Sequence, residues 1–565
     1  MAPTAGGDAI PNQISSRRLR LAGPRGIRGI VANSQIFAIA VFASLGGLVY
    51  GYNQGMFGQI LNMSSFAKTV HPESISNPTA RGLLTAILEL GAWVGAMANG
   101  YIADKLGRKL CVDVAVFVFV IGVIVQACAK APSYILGGRF ITGLGVGSLS
   151  MIVPLYNAEL APAEIRGALV ALQQLSITAG IMIAYWIGYG TNFIGGTGDG
   201  QSNAAWLVPI CIQIAPALIL GVGMNFMPQS PRWLMSVGRE EECLQTVAHI
   251  RRADAETELV VLEFLEIKAQ RVFDTETSQR LFPQYQDHSF KSDFMLGFHA
   301  YARLLTSPTL LKRTLVAVLI MLFQQWTGIN AVLYYAPFIF QDLGLTGNSV
   351  SLLASGVVGV VMFLATIPAV IYIDNLGRKP VLVCGAIGMA ICHFVIAGIS
   401  ASFDGVWDQH KAAGWVAVVF VWLFVVHFGY SWGPAAWIVV AEVFPLGVRA
   451  KGISIGASSN WLNNFAVAMA TSDMLATMKY GTYIFFGLFC VSGATYVYFI
   501  VPETKGRTLE EMDEVFHDDS GEGRKDLERM DKIWHDLGMF NEVLPSARDV
   551  IGSNYEKGSI AHTEV

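Results

Sequence analysis

The stretch Phe323-Gln324-Gln325-Trp326-Thr327-Gly328-Ile329-Asn330-Ala331-Val332-Leu333-Tyr334-Tyr335 sets three carboxamides and two phenols inside an otherwise apolar run. On a helix, Gln324 and Thr327, Thr327 and Tyr334, and Asn330 and Tyr334 stand three, seven and four residues apart and share a face. Such a face cannot look at lipid without heavy cost, so it turns to a cavity or to another helix. Amides of this kind also glue helices together; so many on one helix favour the cavity. A carboxamide offers donors and acceptors without charge, which is what a neutral polyol demands of its site. Gln174, Trp437 and Asn460, each in a further apolar run, have the same character. An indole face packs on apolar C–H groups while amides read hydroxyls. Few basic residues lie at comparable depth, which disfavours a phosphorylated or strongly anionic ligand.

The elements that must position these residues follow from composition. With 565 residues, 53% hydrophobic and 14% charged, and a mean hydropathy of +0.48, the chain is too apolar for a soluble globule of its size. Its partner is the lipid bilayer. About twelve apolar runs approach the ~20 residues that a spanning helix needs, six on each side of a polar segment at 227–312. The string Asp104-Lys-Leu-Gly-Arg-Lys109 returns as Asp374-Asn-Leu-Gly-Arg-Lys379, each copy between two apolar runs. A charged hairpin repeated half a chain apart marks a duplicated membrane bundle, an architecture characteristic of transporters. The expected fold is an all-α membrane protein of twelve transmembrane helices in two pseudo-symmetric six-helix bundles. Its parts are an N-terminal tail (1–33), a first bundle (34–226), a helical linker (227–312), a second bundle (313–501) and a C-terminal tail (502–565). Lys and Arg concentrate in alternate loops and in the linker, which puts the linker and both termini in the cytosol.

The net charge of −4 is small and the basic residues are dispersed, which excludes a nucleic-acid partner. Seven cysteines form no CxxC pair and read as small hydrophobes, not as a disulfide or metal framework. No Ser/His/Asp grouping, phosphate loop or metal-ligand cluster is present, so neither an enzyme nor a cofactor is expected.

Several motifs carry a family resemblance: the two Asp-x-x-Gly-Arg-Lys loops, Pro154-Leu-Tyr-Asn-Ala-Glu159, Pro228-Gln-Ser-Pro-Arg-Trp-Leu234, Gln-Gln-x-x-Gly-x-Asn from Gln324, Gly433-Pro434-Ala-Ala-Trp437 and Pro502-Glu-Thr-Lys-Gly-Arg507. In order and spacing, over roughly residues 35–515, the chain resembles the sugar porters of the major facilitator superfamily. Loop lengths and tails are most similar to those of fungal monosaccharide transporters. The resemblance implies a monomeric alternating-access carrier of the plasma membrane that holds a neutral hexose or pentose at mid-membrane. Carried over by motif, the sugar ligands are Gln174, Gln324, Gln325, Asn330, Trp437 and Asn460. Tyr334 and Tyr335 form part of an extracellular gate, and a break at Gly433-Pro434 lets helix ten bend.

The charged loops have a mechanical reading of their own. Asp104 with Arg108, and Asp374 with Arg378, sit at helix ends within reach of Glu159, Arg166, Glu442 and Arg449, and such a ring can latch the cytoplasmic ends of the helices. The alternative is that these charges only anchor loops at the interface. In helix one, Asn53 stands where proton-coupled sugar porters usually carry aspartate, with Arg139 of helix four expected opposite it. Asparagine cannot titrate, which favours facilitated diffusion; proton symport is the alternative, through another buried group among Glu89, Asp113, His393, His427 and Asp473. Gln229 likewise replaces the usual glutamate of the Pro-x-Ser-Pro-Arg motif. A sugar sensor and a quinate or polyol porter are the remaining readings.

Overall fold

The apolar runs fold as helices because a backbone taken into lipid must satisfy its own N–H and C=O groups. The computed structural model describes residues 14, 17, 18, 20, 21, 23, 29 and 31–551, without 163, 164, 199, 285–289, 346, 446, 447, 506–515, 517–521 and 542. In the first half lie α1 (Ser34–Leu61), α2 (Pro78–Leu106), α3 (Arg108–Ala127), α4 (Pro132–Leu160), α5 (Arg166–Thr191) and α6 (Ala204–Met224). The second holds α7 (Pro308–Asp342), α8 (Asn348–Leu376), α9 (Arg378–Phe403), α10 (Lys411–Glu442), α11 (Arg449–Met478) and α12 (Gly481–Phe499). Ten of these, all but α5 and α11, are long and apolar enough to cross a membrane. The exceptions carry the amides Gln173 and Gln174, and Asn460, Asn463 and Asn464, and both pack in the interior: α5 along α1 and α8, α11 along α2 and α7. The halves therefore meet along α5–α8, α2–α11 and α1–α7. No strand occurs among the described residues.

The repeated hexapeptide makes the same joint twice. Gly107 and Gly377 take φ of +83° and +89°, ending α2 and α8 and starting α3 and α9 in one residue. A side chain there would be strained and would strike Trp233 or Glu503, so glycine is required on both counts.

Each half has its own apolar core, around Met56, Phe119 and Ile152 in the first and around Leu333, Met389 and Val439 in the second. A third core lies outside the bundles. The linker helices Pro231–Ser236, Glu240–Arg251 and Glu258–Leu281 bury Leu234, Leu244, Val247, Phe264 and Phe273 there. The helix Glu522–Asp536 adds Met530 and Ile533, an i, i+3 pair on one face, so the segment beyond α12 packs with the linker.

Within the first half, α1 and α5 approach until backbones touch: a Cβ on Gly51 would stand 1.9 Å from the Ile177 carbonyl oxygen. Gly51→Ala is expected to force the helices apart at a cost of roughly 1–3 kcal/mol. The purified protein in detergent should then melt at a lower temperature. Gly137→Ala, which meets nothing within 4 Å, is the control and should leave melting unchanged. Equal melting of both variants would refute the close α1–α5 contact.

Candidate functional site

Two broken helices build the centre. In α7 the break falls at Thr327-Gly328, where Gly328 takes φ +90°, and the Thr327 carbonyl meets Nε2 of His393 on α9 at 2.9 Å. In α10 the break falls at Ser431, three residues before Pro434, not at the expected Gly433-Pro434 itself. The reason is steric: a proline ring clashes with the carbonyl four residues earlier, here Tyr430, so the helix is interrupted ahead of the proline. Gln324 spans to this break, its Nε2 donating to the carbonyls of Trp432 (2.8 Å) and Gly433 (3.3 Å). Asn460 of α11 donates in turn to Gln324 Oε1.

A second row begins one turn on. Asn330 Nδ2 donates to Gln325 Oε1 at 2.6 Å and to Asn464 Oδ1 of α11 at 2.9 Å. Asn464 then donates through Nδ2 to Glu89 Oε2 of α2 at 2.8 Å, and Tyr334 OH donates to Glu89 Oε1 at 2.7 Å. Gln54 of α1 closes the group, donating to Tyr334 OH at 3.3 Å and Tyr50 OH at 3.1 Å. An amide and a phenol of the second half, Asn464 and Tyr334, are thus hydrogen-bonded to a carboxylate and an amide of the first, Glu89 and Gln54, all of them buried.

The expected ligand residues fall into this arrangement unevenly. Gln324 and Asn460 join one row and Gln325 and Asn330 the other. Gln174, partly buried, reaches the α10 break from the first half: a Cβ on Gly433 would lie 3.8 Å from its Nε2. Trp437 is partly buried and packs on the second core without joining either row. Sequence reasoning missed Asn464, although its spacing of four from Asn460 on a polar helix was the available signal. Glu89 was noticed only as a buried titratable group.

At the end of the bundle away from the linker the halves are tied together. Arg81 Nε donates to Ser472 Oγ (2.9 Å), Thr79 Oγ1 to Asp473 Oδ1 (2.9 Å), Gln341 Nε2 to Asn62 Oδ1 (3.1 Å) and Tyr185 OH to the Leu333 carbonyl (2.5 Å). Tyr335 OH donates to the Ala468 carbonyl at 2.7 Å, inside the second half. The expected Asn53–Arg139 partnership takes a different form. Asn53 Nδ2 donates to Val49 of its own helix (3.0 Å), and its Oδ1 is buried without a partner. Arg139 Nη2 donates to the Thr85 carbonyl (3.0 Å), its guanidinium lies 3.7 Å from the Phe57 ring centroid, and the carboxylate in its electrostatic reach is Glu89. A neutral amide gives the guanidinium no countercharge, so the acid of α2 supplies it.

At the linker end the charges pair within each half. Arg108 binds Glu159 (2.8 Å) and Asp104 (3.4 Å), and Arg378 binds Glu442 (2.9 Å). Ser230 donates to Glu159, and Thr504 to Glu442, so the two halves repeat an arginine–glutamate–hydroxyl triad. Arg449 donates to the Phe444 carbonyl (3.3 Å). The side chains of Arg166 and Asp374 lie outside the described residues. The symmetry fails at one place. Glu503 accepts from the amides of Arg378 (3.0 Å) and Lys379 (2.9 Å), capping α9; Gln229, the matching residue of the first half, has Oε1 buried without a partner.

A family model described as "Sugar (and other) transporter" matches residues 39–516. The high-affinity glucose transporter 1 of Candida albicans is 33% identical over 86% of both chains. A probable quinate permease of Aspergillus niger is 32% identical over 94% of this chain and 96% of its own. Among solved structures, the E. coli xylose transporter XylE, titled a proton:xylose symporter bound to 6-bromo-6-deoxy-D-glucose, superposes with a TM-score of 0.68. It is 29% identical, over 86% of this chain and 99% of that one.

The α9 cap is a titrating one. Burial alone would raise the Glu503 carboxyl, but the amides of Arg378, Lys505 and Lys379 and the Arg378 charge outweigh it and hold its pKa below the ordinary glutamate value. A lowered folded-state pKa means stabilisation that is complete above the unfolded-state value, about 4.3, and lost as pH falls through the folded one. Glu503→Gln is expected to lower the melting temperature at neutral pH, with the gap from the unsubstituted protein closing in acid below about pH 4. A gap that is constant with pH would show that the cap does not act through its charge.

Proposed function

The chain belongs to the sugar transporter family, and from that premise we propose that it is an alternating-access carrier of a neutral monosaccharide, a hexose or a pentose. It is a multi-pass membrane transporter and not an enzyme. The observation that carries the substrate class is the pair of carboxamide rows, Gln324–Asn460 and Gln325–Asn330–Asn464, lying where the two halves meet. These groups present donors and acceptors without charge, and they are satisfied by one another while no ligand is bound. Sugar hydroxyls replace those mutual bonds one for one, so binding leaves no buried polar group unpaired. The ligand set is Gln174, Gln324, Gln325, Asn330 and Asn460, with Trp437 as an apolar platform and Asn464 added. Among the described residues no cation hydrogen-bonds to either row, which favours a neutral sugar over the carboxylate of quinate.

The basic loops support a cytosolic linker and cytosolic termini, and the reading includes residence in the plasma membrane. In that orientation the ties through Tyr334, Arg81, Thr79 and Gln341 close the carrier to the outside, and the linker-end ion pairs leave its halves free to part inside. Tyr334, on the same helix as Asn330, then serves as gate and Gly328 and Ser431 as bending points; the arginine–glutamate triads brace each half as a rigid body. For the driving force, Asn53 favours passive diffusion. A specific observation favours the second reading, proton symport: a buried carboxylate, Glu89, is joined to the amide row.

The test is uptake of radiolabelled glucose, xylose, arabinose, galactose and quinate by a yeast lacking its own hexose carriers. Uptake of one or more of the neutral sugars is expected, and Asn330→Ala should lower it at least about a hundredfold, the loss of two polar contacts to a substrate, while surface expression is retained. Normal uptake by the variant would remove α7 from the binding site. Uptake of quinate alone would overturn the substrate class.

A further inference from the structure

The α2 carboxylate is 1% exposed and lies between the halves, accepting from Tyr334 OH of α7 and Asn464 Nδ2 of α11. The charged, titratable and polar groups that face it from the helices packed around it are Tyr50 and Gln54 of α1, Arg139 of α4, Tyr334 of α7 and Asn464 of α11. Of the other candidates, His393 meets the Thr327 carbonyl, His427 meets Tyr430 OH and Asp473 accepts from Thr79 Oγ1, and none of these contacts joins the amide rows. We propose that Glu89 is a proton-binding site of the transport cycle, linked to the sugar site through the single side chain of Asn464. This rests on the carrier reading given above.

Donors and acceptors decide the linkage. As a carboxylate, Glu89 takes a charge-assisted hydrogen bond on each oxygen, and both donors belong to the opposite half; the ionised form therefore holds the outer seal shut. A proton arriving from external water converts one oxygen into a donor. That oxygen no longer accepts, so at least one of the two bonds across the seal is lost or replaced by a weaker neutral one. Protonation thus favours the conformer open to the outside, which takes up sugar with the proton still bound; once the loaded carrier opens on the linker side the proton leaves, and the carboxylate takes back its two donors. Sugar enters the same linkage because Asn464 is shared. Its Nδ2 is committed to Glu89, and its Oδ1 accepts from Asn330, a ligand residue. A change at Glu89 reorients an amide whose other end touches the substrate.

The experiment uses the full chain in proteoliposomes with D-glucose and D-xylose as probes. Counterflow, which needs no proton gradient, reads sugar exchange by itself. For the unsubstituted protein the apparent KM of counterflow should shift by about tenfold between about pH 5 and about pH 8, an ordinary coupling strength. In Glu89→Gln, which keeps size and one acceptor oxygen, exchange should persist with a shift below about twofold, and accumulation driven by an inward proton gradient should vanish. A second measurement needs no variant. By reciprocity, adding sugar to the unsubstituted protein in weakly buffered detergent should draw protons from solution. Counterflow that ignores pH, no proton uptake on adding sugar, or gradient-driven accumulation by Glu89→Gln would each overturn the inference while leaving the carrier intact. No counterflow with either sugar would overturn the carrier reading and this inference with it.

Discussion

A polar group that a helix carries into the membrane interior is costly unless it finds a partner inside the protein, and the two broken helices are organised by that requirement. The breaks in α7 and α10 expose backbone carbonyls at depth. Those of Thr327, Trp432 and Gly433 are met by His393 and Gln324, side chains that the sequence carries in otherwise apolar helices. The breaks are what give the centre its bending points. The same amides that repair them supply an uncharged hydrogen-bonding surface, so flexibility and recognition arise from one set of residues. His393, which in sequence is a candidate proton carrier, is accounted for by this repair.

Duplication gives the linker end its form. Two Gly-Arg-Lys joints each place an arginine under a helix terminus; each arginine donates to a glutamate of its own half, and each glutamate also accepts from a hydroxyl, Glu159 from Ser230 of the linker and Glu442 from Thr504 beyond α12. These ion pairs brace each bundle without crossing to its twin; a neutral hydrogen bond, from Trp93 Nε1 of α2 to Ser458 Oγ of α11 at 2.6 Å, does cross. The asymmetry at Gln229 and Glu503 has a physical sense in this setting. A carboxylate at the start of α9 is favoured by two backbone amides and by the helix dipole, whereas the carboxamide of Gln229 brings no charge to the start of α3.

Much of this was legible from residue types alone. Hydropathy marks the apolar runs, the hexapeptide repeat marks the duplication, and the Gln-Gln-x-x-Gly-x-Asn stretch marks the polar face of α7, because burial of an amide in lipid is costly wherever it occurs. What could not be read is which face of which helix meets the other half. Asn464 lies one helical turn beyond Asn460 but acquires its role only from the approach of α2. Arg139 was expected to face Asn53, and sequence spacing across helices could not say that Glu89 would be its charge partner. The Ser431 break was displaced from its proline by a clash with a carbonyl, a matter of backbone geometry and not of composition. The helix Glu522–Asp536 joins the linker core through a stripe visible in its sequence, but its docking partner is two hundred and more residues away and is set by the fold.

The arrangement also explains how binding can be tied to gating without any long pathway. Asn330 and Tyr334 are one turn apart on the short helix that follows Gly328, and in the proposed carrier this segment would move as a unit about that break. In the proposed carrier, a rotation that brings Asn330 onto a sugar would also move Tyr334 relative to Glu89, Gln54 and the seal. The coupling needs only that the segment be stiff and its ends be differently occupied in two states, which is the minimal condition for two sites to bias one equilibrium. Asn464 touches both ends of the segment, accepting from Asn330 and from Tyr334 at 2.9 and 3.3 Å. It therefore reports the same rotation to α2. A carrier built this way couples substrate to gate by sharing one turn of helix, and whichever ligand changes the donor or acceptor count around that turn changes the affinity for the other.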